Sequence, residues 1–377
     1  MQKKIYTVAT AHLDTIWSWD FETTVSRYIY NTLVDNFALF QKYPTYHFNF
    51  EGSYRYELME EYYPELYAKK RDYIAQGRWS VCGSAFENGD VNVPSPEALF
   101  RNILYGNRYF EKKFGKRSVD IYLPDCFGFG WALPSIIAHA NLMGFTTQKL
   151  SWGSAYGVPF TLGYWQGVDG SRVLACPNAR SYRSKFSGDL RGEVSVIDDV
   201  AKNAFEGGLP YAQHLYGTGD IGGAPTEESV QNVCASAAEN GQKDFDVISA
   251  QSDQIFKDID ALPDSDKDRL PVWNNELLMT SHGAGGYTAR AMGKRLNRQC
   301  EVLADVAEST LSTAELLGVY TYPQETVTKA WERLIQHQFH DDLPGTSNMD
   351  IYNTGWNDYH TSLVQLQGEY TGAVGAI

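Results

Sequence analysis

The segment ATAHLDTIWSWDFE, residues 9–22, joins an apolar run to an imidazole, a carboxylate and two tryptophans. The apolar residues from Ile5 to Ala11 predict a buried strand that ends at His12 and Asp14. In an extended backbone, residues two apart lie on the same side, so the His12 and Asp14 side chains could face one spot. Such a pair suits a divalent metal, and Trp17 suits a sugar face or the core. For this tripeptide alone, local hydrogen bonds at a strand end are the simpler interpretation.

The composition describes a globular chain of 377 residues with a formal net charge of −14. This acidic excess argues against nucleic acid or an anionic membrane surface as a partner, and it leaves a homo-oligomer open. No apolar run approaches the ~20 residues that a membrane helix requires. No signal-peptide pattern follows Lys3 and Lys4, so we expect a cytoplasmic location. The 5 cysteines are scattered without a C-x-x-C motif, which disfavours a disulfide framework or a structural zinc knuckle.

Strand-like and helix-like segments alternate through the first two thirds of the chain. KIYTVATA precedes a predicted helix at about residues 25–42, and YHFNF precedes one predicted over residues 54–77. RWSVCGSAF likewise precedes a predicted helix over residues 96–114. The alternation indicates parallel β-α units, interrupted by a predicted hairpin turn at Asp169–Gly170. We therefore predict an α/β domain over residues 1–262.

The last third of the chain has a different character. After the polar connector LPDSDKDRLP we predict helices at about residues 287–317, at about residues 324–340, and from Asp350 onward. Three helices with little strand between them are expected to pack as a bundle. We assign this helical bundle to residues 263–377.

Acidic residues directly follow several predicted strands. VATAHLD ends in Asp14, VDIYLPDCFGF contains Asp125, and YAQHLYGTGDIGG contains Asp220 in a glycine-rich loop. In β/α barrels the carboxyl ends of the strands build the active site, so residues distant in sequence converge there. Each aspartate alone is better explained as a helix N-cap, but the neighbouring glycines allow a close approach to the backbone. Further acids at similar positions are Glu51, Glu87 and Asp90.

The helical part supplies one more candidate. WERLIQHQFHDDLPGTS predicts a helix that ends at His340, Asp341 and Asp342. A protonated histidine complements the negative end of a helix dipole, but two carboxylates there are unfavourable unless a cation compensates them. A mixed nitrogen and oxygen ligand set, of the kind that zinc or a similar divalent ion accepts, is formed by His12, Asp14, Asp125 and His340.

Five separated motifs, in this order, resemble those of the family 38 glycoside hydrolases, the retaining α-mannosidases: HLDTIW, PDCFGF, GTGDIGG, YTARAMGKRLNRQCE and HDDLPGTS. The resemblance covers nearly the whole chain. It implies a (β/α)7-like barrel, a helical bundle that contributes a metal ligand, and one zinc ion. Members of the family continue into β-rich C-terminal domains, which are absent from this sequence, so we expect the catalytic region only.

The resemblance also implies roles for individual residues. Asp125 would be the nucleophile, and Asp220 would be the general acid/base. Trp17 and Phe127 would line the sugar pocket, and Asp341 would bind sugar hydroxyls. The implied zinc ligands are His12, Asp14, Asp125 and His340.

The expected function is retaining hydrolysis of α-mannosidic bonds in glycans or oligosaccharides. Such chemistry needs two carboxylates about 5 Å apart, one to attack the sugar and one to protonate the leaving oxygen. A metal-dependent carbohydrate deacetylase is the alternative, since it also uses aspartates and histidines at strand ends but attacks with metal-bound water. A sugar-binding fragment without turnover is the third hypothesis. The glycine-rich loop at Asp220 and the ligand at His340 favour the glycosidase.

Overall fold

The structure, a computed structural model, describes residues 1–205 and 208–377 of the chain. In that part the strands are β1 Lys3–Ala11, β2 Phe48–Glu51, β3 Trp79–Cys82, β4 Asp120–Tyr122, β5 Gly128–Phe129, β6 Gly144–Thr146, β7 Gly163–Gln166, β8 Arg172–Cys176, β9 Tyr211–Thr218, β10 Phe245–Ser249, β11 Val272–Trp273 and β12 Leu277–Leu278. The α-helices are α1 Phe21–Thr23, α2 Tyr30–Lys42, α3 Ser53–Tyr62, α4 Pro64–Ala75, α5 Pro96–Phe114, α6 Leu133–His139, α7 Val194–Phe205, α8 Glu227–Ala238, α9 Gln254–Asp260, α10 Asp264–Lys267, α11 Ala291–Leu316, α12 Gln324–Gln336 and α13 Met349–Ala376. A π-helical segment, Thr24–Ile29, joins α1 to α2, and 3₁₀ turns lie at Lys149–Trp152, Leu190–Gly192 and Ala284–Thr288.

Two five-stranded sheets carry the α/β part. In the first, β1 pairs with β9, β10 and β2, and β3 lies beyond β2, all parallel. The second has the order β11-β7-β8-β6-β4, in which β7 and β8 form the predicted antiparallel hairpin through Asp169–Gly170. Among the described residues, no hydrogen-bonded strand pair connects the two sheets. The α/β class is therefore confirmed, while closure into a barrel stays a prediction.

The first sheet is built on β1, the strand that the opening segment predicts. Every residue from Ile5 to Ala11 is buried, and a run of β-branched and small residues is typical of a parallel strand covered on both faces. The register with β9 extends from Lys4↔Tyr211 to Ala11↔Thr218. Because β1 and β9 end side by side, the residues that follow them leave the sheet at the same edge.

The predicted helix over residues 96–114 is confirmed as α5. It begins where Ser95 Oγ accepts a hydrogen bond from the backbone N–H of Ala98 at 3.2 Å, and it ends at Gly115 in a left-handed conformation. The single helix predicted over residues 54–77 is wrong. The structure has two helices there, because Pro64 lacks a backbone N–H and starts a new helix, α4.

The helical part contains the three long helices expected there. Residues of α11, α12 and α13 share one buried cluster, including Leu296, Trp331 and Tyr359. The helix predicted to reach His340 ends at Gln336 instead. Beyond it, the chain pairs with a distant segment: the N–H of Asp90 donates to the Gln338 carbonyl at 2.7 Å. His340 is therefore held by strand-like pairing, and the helix-end interpretation of this residue is wrong.

Two predictions about the chain as a whole can be checked directly. All five cysteines are free, as their spacing indicates. Within residues 1–205 and 208–377, no helix is long and apolar enough to cross a membrane.

Candidate metal and catalytic site

The four predicted metal ligands converge on one point in the structure. One ligand atom from each of His12, Asp14, Asp125 and His340 lies within 4.8 Å of the others, and all four residues are buried. His12 Nε2 is 3.0 Å from Asp14 Oδ1. His340 Nε2 is 3.4 Å from the same oxygen and 3.8 Å from Asp125 Oδ2. We call these four residues the metal cluster.

The outer nitrogens of both histidines are held by neighbouring acceptors. His12 Nδ1 is 2.8 Å from Glu51 Oε1, and His340 Nδ1 is 2.8 Å from the Asn88 carbonyl oxygen. These contacts fix the rings so that each Nε2 faces the cluster, as is usual for metal-binding histidines. Among the described residues, His12 Nε2, His340 Nε2 and Asp14 Oδ1 make no hydrogen bond of good geometry, although His12 Nε2 and Asp14 Oδ1 lie 3.0 Å apart. Buried polar atoms without a partner are costly, and a divalent ion with nitrogen and oxygen ligands would satisfy all three.

The electrostatics of the cluster also favour positive charge. Burial lowers the pKa of His12, but the carboxylates of Asp14 and Glu51 outweigh it and raise that pKa well above its usual range. Burial likewise opposes the raised pKa of His340, which Asp14 and Asp341 favour. Burial, followed by the charge of Asp14, raises the pKa of Asp341 to about 7. Protons and a divalent ion would therefore compete for the same imidazole nitrogens and carboxylate oxygens.

The glycine-rich loop after β9 packs directly against the segment after β1. The N–H of Asp14 donates to the Asp220 carbonyl at 2.8 Å, and the N–H of Gly222 donates to the His12 carbonyl at 3.0 Å. A Cβ on Gly217 would lie 1.8 Å from the Thr10 carbonyl oxygen, and both glycines have positive φ. The glycines here are expected to allow a close approach to the backbone; at Gly217 the group that approaches is the protein's own backbone.

The two carboxylates that are expected to be catalytic are linked by one tyrosine. Tyr182 Oη lies 3.0 Å from Asp220 Oδ1 and 3.3 Å from Asp125 Oδ1. Burial, and then the charges of both aspartates, raise the Tyr182 pKa, so the hydroxyl keeps its hydrogen. Each carboxylate also has its own cation, because Lys149 pairs with Asp125 and Arg183 pairs with Asp220.

A cavity of 320 Å³ opens above the metal cluster. The predicted sugar contacts Trp17, Phe127 and Asp341 all line it, together with the two catalytic aspartates. Asp341 Oδ1 accepts a hydrogen bond from Thr346 Oγ1 at 2.5 Å. The full lining is Asp14, Trp17, Asp125, Phe127, Trp152, Tyr182, Arg183, Asp220, His282, Gly283, Asp341 and Thr346. His12 and His340 are fully buried and are not part of the lining.

Sequence reasoning missed several residues of this cavity. Lys149 follows β6, so the strand-exit rule that singled out the aspartates could have found it. Tyr182 and Arg183 carry no comparable signal, since they lie in a loop before α7. Glu87 and Asp90, which also follow strands, lie outside both the metal cluster and the cavity lining. Glu87 instead accepts a hydrogen bond from buried Arg55 at 2.7 Å.

Two carboxylates that face one cavity, as Asp125 and Asp220 do here, are the arrangement expected of a glycoside hydrolase. Residues 2–276 match the family described as "Glycosyl hydrolases family 38 N-terminal domain". Residues 282–377 match the "Alpha mannosidase middle domain". The chain therefore belongs to glycosyl hydrolase family 38, which confirms the resemblance seen in its motifs.

Curated relatives and solved structures agree with this assignment. The chain is 30% identical over 377 residues to "Alpha-mannosidase G" of Dictyostelium discoideum, covering 100% of this chain and 33% of that protein. It is 31% identical over 348 residues to human "Alpha-mannosidase 2C1", covering 92% of this chain and 32% of that protein. The chain thus spans about a third of the length of these relatives. The crystal structure of an alpha-mannosidase from Enterococcus faecalis V583 shares the fold, with a TM-score of 0.79 at 20% identity, over 100% of this chain and 43% of that one.

Proposed function

We propose that this chain is the catalytic region of a retaining, metal-dependent glycoside hydrolase that cleaves α-mannosidic bonds in glycans or oligosaccharides. One observation carries the proposal: Asp125 and Asp220 share the Tyr182 hydroxyl beside the metal cluster. The family and its alpha-mannosidase relatives support mannose as the sugar. In architecture, we propose a (β/α)7-like barrel over residues 1–262, which β11 and β12 join by pairing with β7 and β5, and a three-helix bundle within residues 263–377.

The metal cluster fits one divalent ion, and its donor set favours zinc. His12, Asp14, Asp125 and His340 would hold the ion, while Glu51 and the Asn88 carbonyl orient the two imidazoles. A bound ion would supply positive charge that keeps the Asp125 carboxylate ionised. Asp341 and Trp17 line the cavity beside these ligands, where they would contact the hydroxyls and one face of the mannose ring.

The neighbours of each carboxylate support a different catalytic role for Asp125 and for Asp220. Asp125, oriented by Lys149, attacks the anomeric carbon, and the bond to the leaving oxygen breaks as Asp220 donates its proton to that oxygen. A mannosyl ester on Asp125 results. Asp220 then removes a proton from water, which attacks the anomeric carbon as the bond from that carbon to Asp125 breaks, and mannose leaves with its configuration retained.

The placement of Asp220 suits an acid/base group. In the structure the Asp220 carboxyl group is paired with the Arg183 guanidinium group. Because the Arg183 side chain is 52% exposed, it can move away when Asp220 takes up a proton. The hydrogen-bond lengths to Tyr182 limit the separation of the two carboxylates, which is compatible with the ~5 Å that retaining enzymes require.

The test compares two mannosides in the Asp220→Ala variant. Hydrolysis of an α-linked mannobiose should fall by about 10²–10⁴-fold, because its leaving group needs a proton. The first step with α-mannosyl fluoride, whose leaving group needs none, should be retained, and azide should then give α-mannosyl azide of retained configuration. Metal content should match that of the wild type. An azide product of inverted configuration, or loss of the metal, would show that the roles are misassigned.

The alternative functions predict different labelling. A 2-deoxy-2-fluoromannosyl fluoride should lose its anomeric fluoride and leave a 2-deoxy-2-fluoromannosyl ester on Asp125, seen by mass spectrometry of the digested chain. A carbohydrate deacetylase forms no such ester, and a sugar-binding fragment would bind the compound without reacting. Absence of the adduct at saturating reagent would overturn the proposed mechanism.

A further inference from the structure

The outer part of the cavity has a feature that the proposed chemistry does not use. Trp152 lines the cavity but is 44% exposed. Its ring N–H donates to Gln148 Oε1 at 3.0 Å, so the indole is held by its polar edge. The His282 ring lies against the Trp152 ring, with centroids 4.6 Å apart and planes inclined by 39°. We call Trp152 and His282 the rim pair.

The rim pair is built into the fold by two segments that pair with each other. The N–H of Ala155 donates to the Leu278 carbonyl, and the N–H of Thr280 donates to the Gly153 carbonyl, each at 2.8 Å. Ser281 Oγ donates to the Trp152 carbonyl at 3.0 Å. The orientation of the two rings is thus set by backbone pairing on both sides.

The backbone at His282 is also constrained. His282 has a φ of 45°, a left-handed conformation that is uncommon for a residue with a side chain and often marks functional positions. The next residue, Gly283, lies against Phe127, since a Cβ there would meet the Phe127 ring at 2.5 Å. The chain therefore follows the cavity wall closely while the His282 side chain projects to the rim.

Both members of the rim pair line the same cavity as the catalytic carboxylates, Asp125 and Asp220. Lys149 Nζ lies 5.5 Å from the centre of the Trp152 ring and 5.1 Å from that of Phe127. Phe127 is buried and Trp152 is exposed, so one of the two aromatic rings near Lys149 is covered and the other is open to solvent.

We propose that the rim pair is a leaving-group platform, on which a second, uncharged pyranose ring of the substrate stacks while Asp220 protonates its oxygen. This inference rests on the proposed function and specifies its substrate class: a mannosyl residue linked to another sugar. The flat indole face suits the C–H face of a pyranose, and the imidazole nitrogens suit its hydroxyls. Lys149, the cation nearest the Trp152 ring, is paired with Asp125, which is consistent with an uncharged leaving group.

The experiment compares Trp152→Ala with Trp131→Ala, using α-linked mannobioses and α-mannosyl fluoride as substrates. Trp131 is a matched control, because it is also exposed, at 37%, but does not line the cavity. Fluoride makes no contact of the kind that a leaving sugar makes. For Trp152→Ala, kcat/KM should fall about tenfold more on mannobiose than on the fluoride, mostly through KM. Trp152→Phe should restore most of the loss, and Trp131→Ala should match the wild type on both substrates.

The outcomes separate this inference from the proposed function. Equal effects of Trp152→Ala on both substrates, or no effect on mannobiose, would overturn the platform while hydrolysis of the fluoride still supports the glycosidase. If the wild type fails to hydrolyse the fluoride, the proposed function is wrong, and calorimetric binding tests the platform instead. The wild type should then bind mannobiose more tightly than mannose, and Trp152→Ala should remove the difference. Equal affinities in the wild type would overturn the platform.

Discussion

Two buried histidines, three residues apart in the sequence HQFH, have opposite surroundings. Both ring nitrogens of His337 are satisfied, by Asp342 Oδ2 at 2.7 Å and Asp358 Oδ2 at 2.9 Å. His340 has only its Nδ1 satisfied, by Asn88, while no described residue hydrogen-bonds to its Nε2. Both residues are buried histidines, so they differ only in how many of their ring nitrogens have a hydrogen-bond partner. The fully hydrogen-bonded ring of His337 has a structural role, whereas the Nε2 of His340 is available to bind a ligand.

The charges of the two sites support the same distinction. Burial lowers the pKa of His337, but Asp342 and Asp358 raise it to about 9, so the ring is a cation at neutral pH with a carboxylate on each side. We call these three residues the histidine clamp. Beside the metal cluster, the carboxylates of Asp14, Asp125 and Asp341 all approach His340 Nε2. Oxygen and nitrogen atoms that converge in this way suit a divalent ion.

The largest expected effect is on turnover, which should respond differently to loss of a carboxylate in the metal cluster and in the histidine clamp. Asp125→Asn should reduce turnover of α-mannosides by roughly 10⁴-fold or more, because the nucleophile is lost. Asp358→Asn, which changes a carboxylate of the histidine clamp, should keep turnover near the wild-type value. Steady-state rates with α-mannosyl fluoride provide the comparison. Comparable losses in the two variants would mean that the clamp also serves catalysis.

The next effect concerns stability. His337→Gln should lower the free energy of unfolding by about 3 kcal/mol, because it leaves buried Asp342 without its cation. Metal content should be unchanged, since neither His337 nor Asp342 belongs to the metal cluster. Urea denaturation monitored by circular dichroism gives the first quantity, and elemental analysis gives the second. A variant of wild-type stability that has lost its metal would reverse our assignment of the two histidines.

A smaller effect is expected behind the metal cluster. Glu51 holds His12 Nδ1 at 2.8 Å without being one of the four ligands. Glu51→Gln keeps the size of the side chain but removes the charge, and should weaken zinc affinity by about 10–100-fold. Competition with a chelator of known affinity measures the change. An unaltered affinity would show that the Glu51 charge does not orient the imidazole.

The smallest effect is the pH dependence of the histidine clamp. Because the folded pKa of His337, about 9, lies above the usual value near ~6.5, its stabilisation is complete below that usual value. It is lost as the pH rises through the folded pKa. The difference in unfolding free energy between wild type and His337→Gln should therefore shrink by about 2 kcal/mol between pH 6 and pH 8. A constant difference over this range would contradict a charged His337.

The sequence predicted those elements whose causes are local. α5 has its own capping serine and terminal glycine, and β1 has an uninterrupted buried run. The break between α3 and α4 also had a local cause, Pro64, which the regular pattern of the surrounding residues obscured. The end of α12 had no local cause. It is set by pairing with residues 88–90, which no pattern near Gln336 reveals.

The residues of the candidate site also differ in whether the local sequence predicts them. His12, Asp14, Asp125 and Asp220 follow strands, so their position in the pattern indicated that they converge. Tyr182 lies in an irregular loop and meets Asp125 and Asp220 only in the folded chain, so nothing in its neighbourhood predicted it. The same holds for the contrast between His337 and His340, because their partners include Asp358 and Asn88, far from them in sequence.

The most direct test of the metal cluster is a zinc titration of the chelator-treated chain and of two single variants, His340→Ala and His337→Ala. We predict one ion per chain for the wild type and for His337→Ala, with similar affinities. His340→Ala should bind more than ~100-fold more weakly, since losing a ligand costs more than losing its outer partner. Stoichiometric binding of unchanged affinity in His340→Ala, or no binding by the wild type, would contradict the metal site.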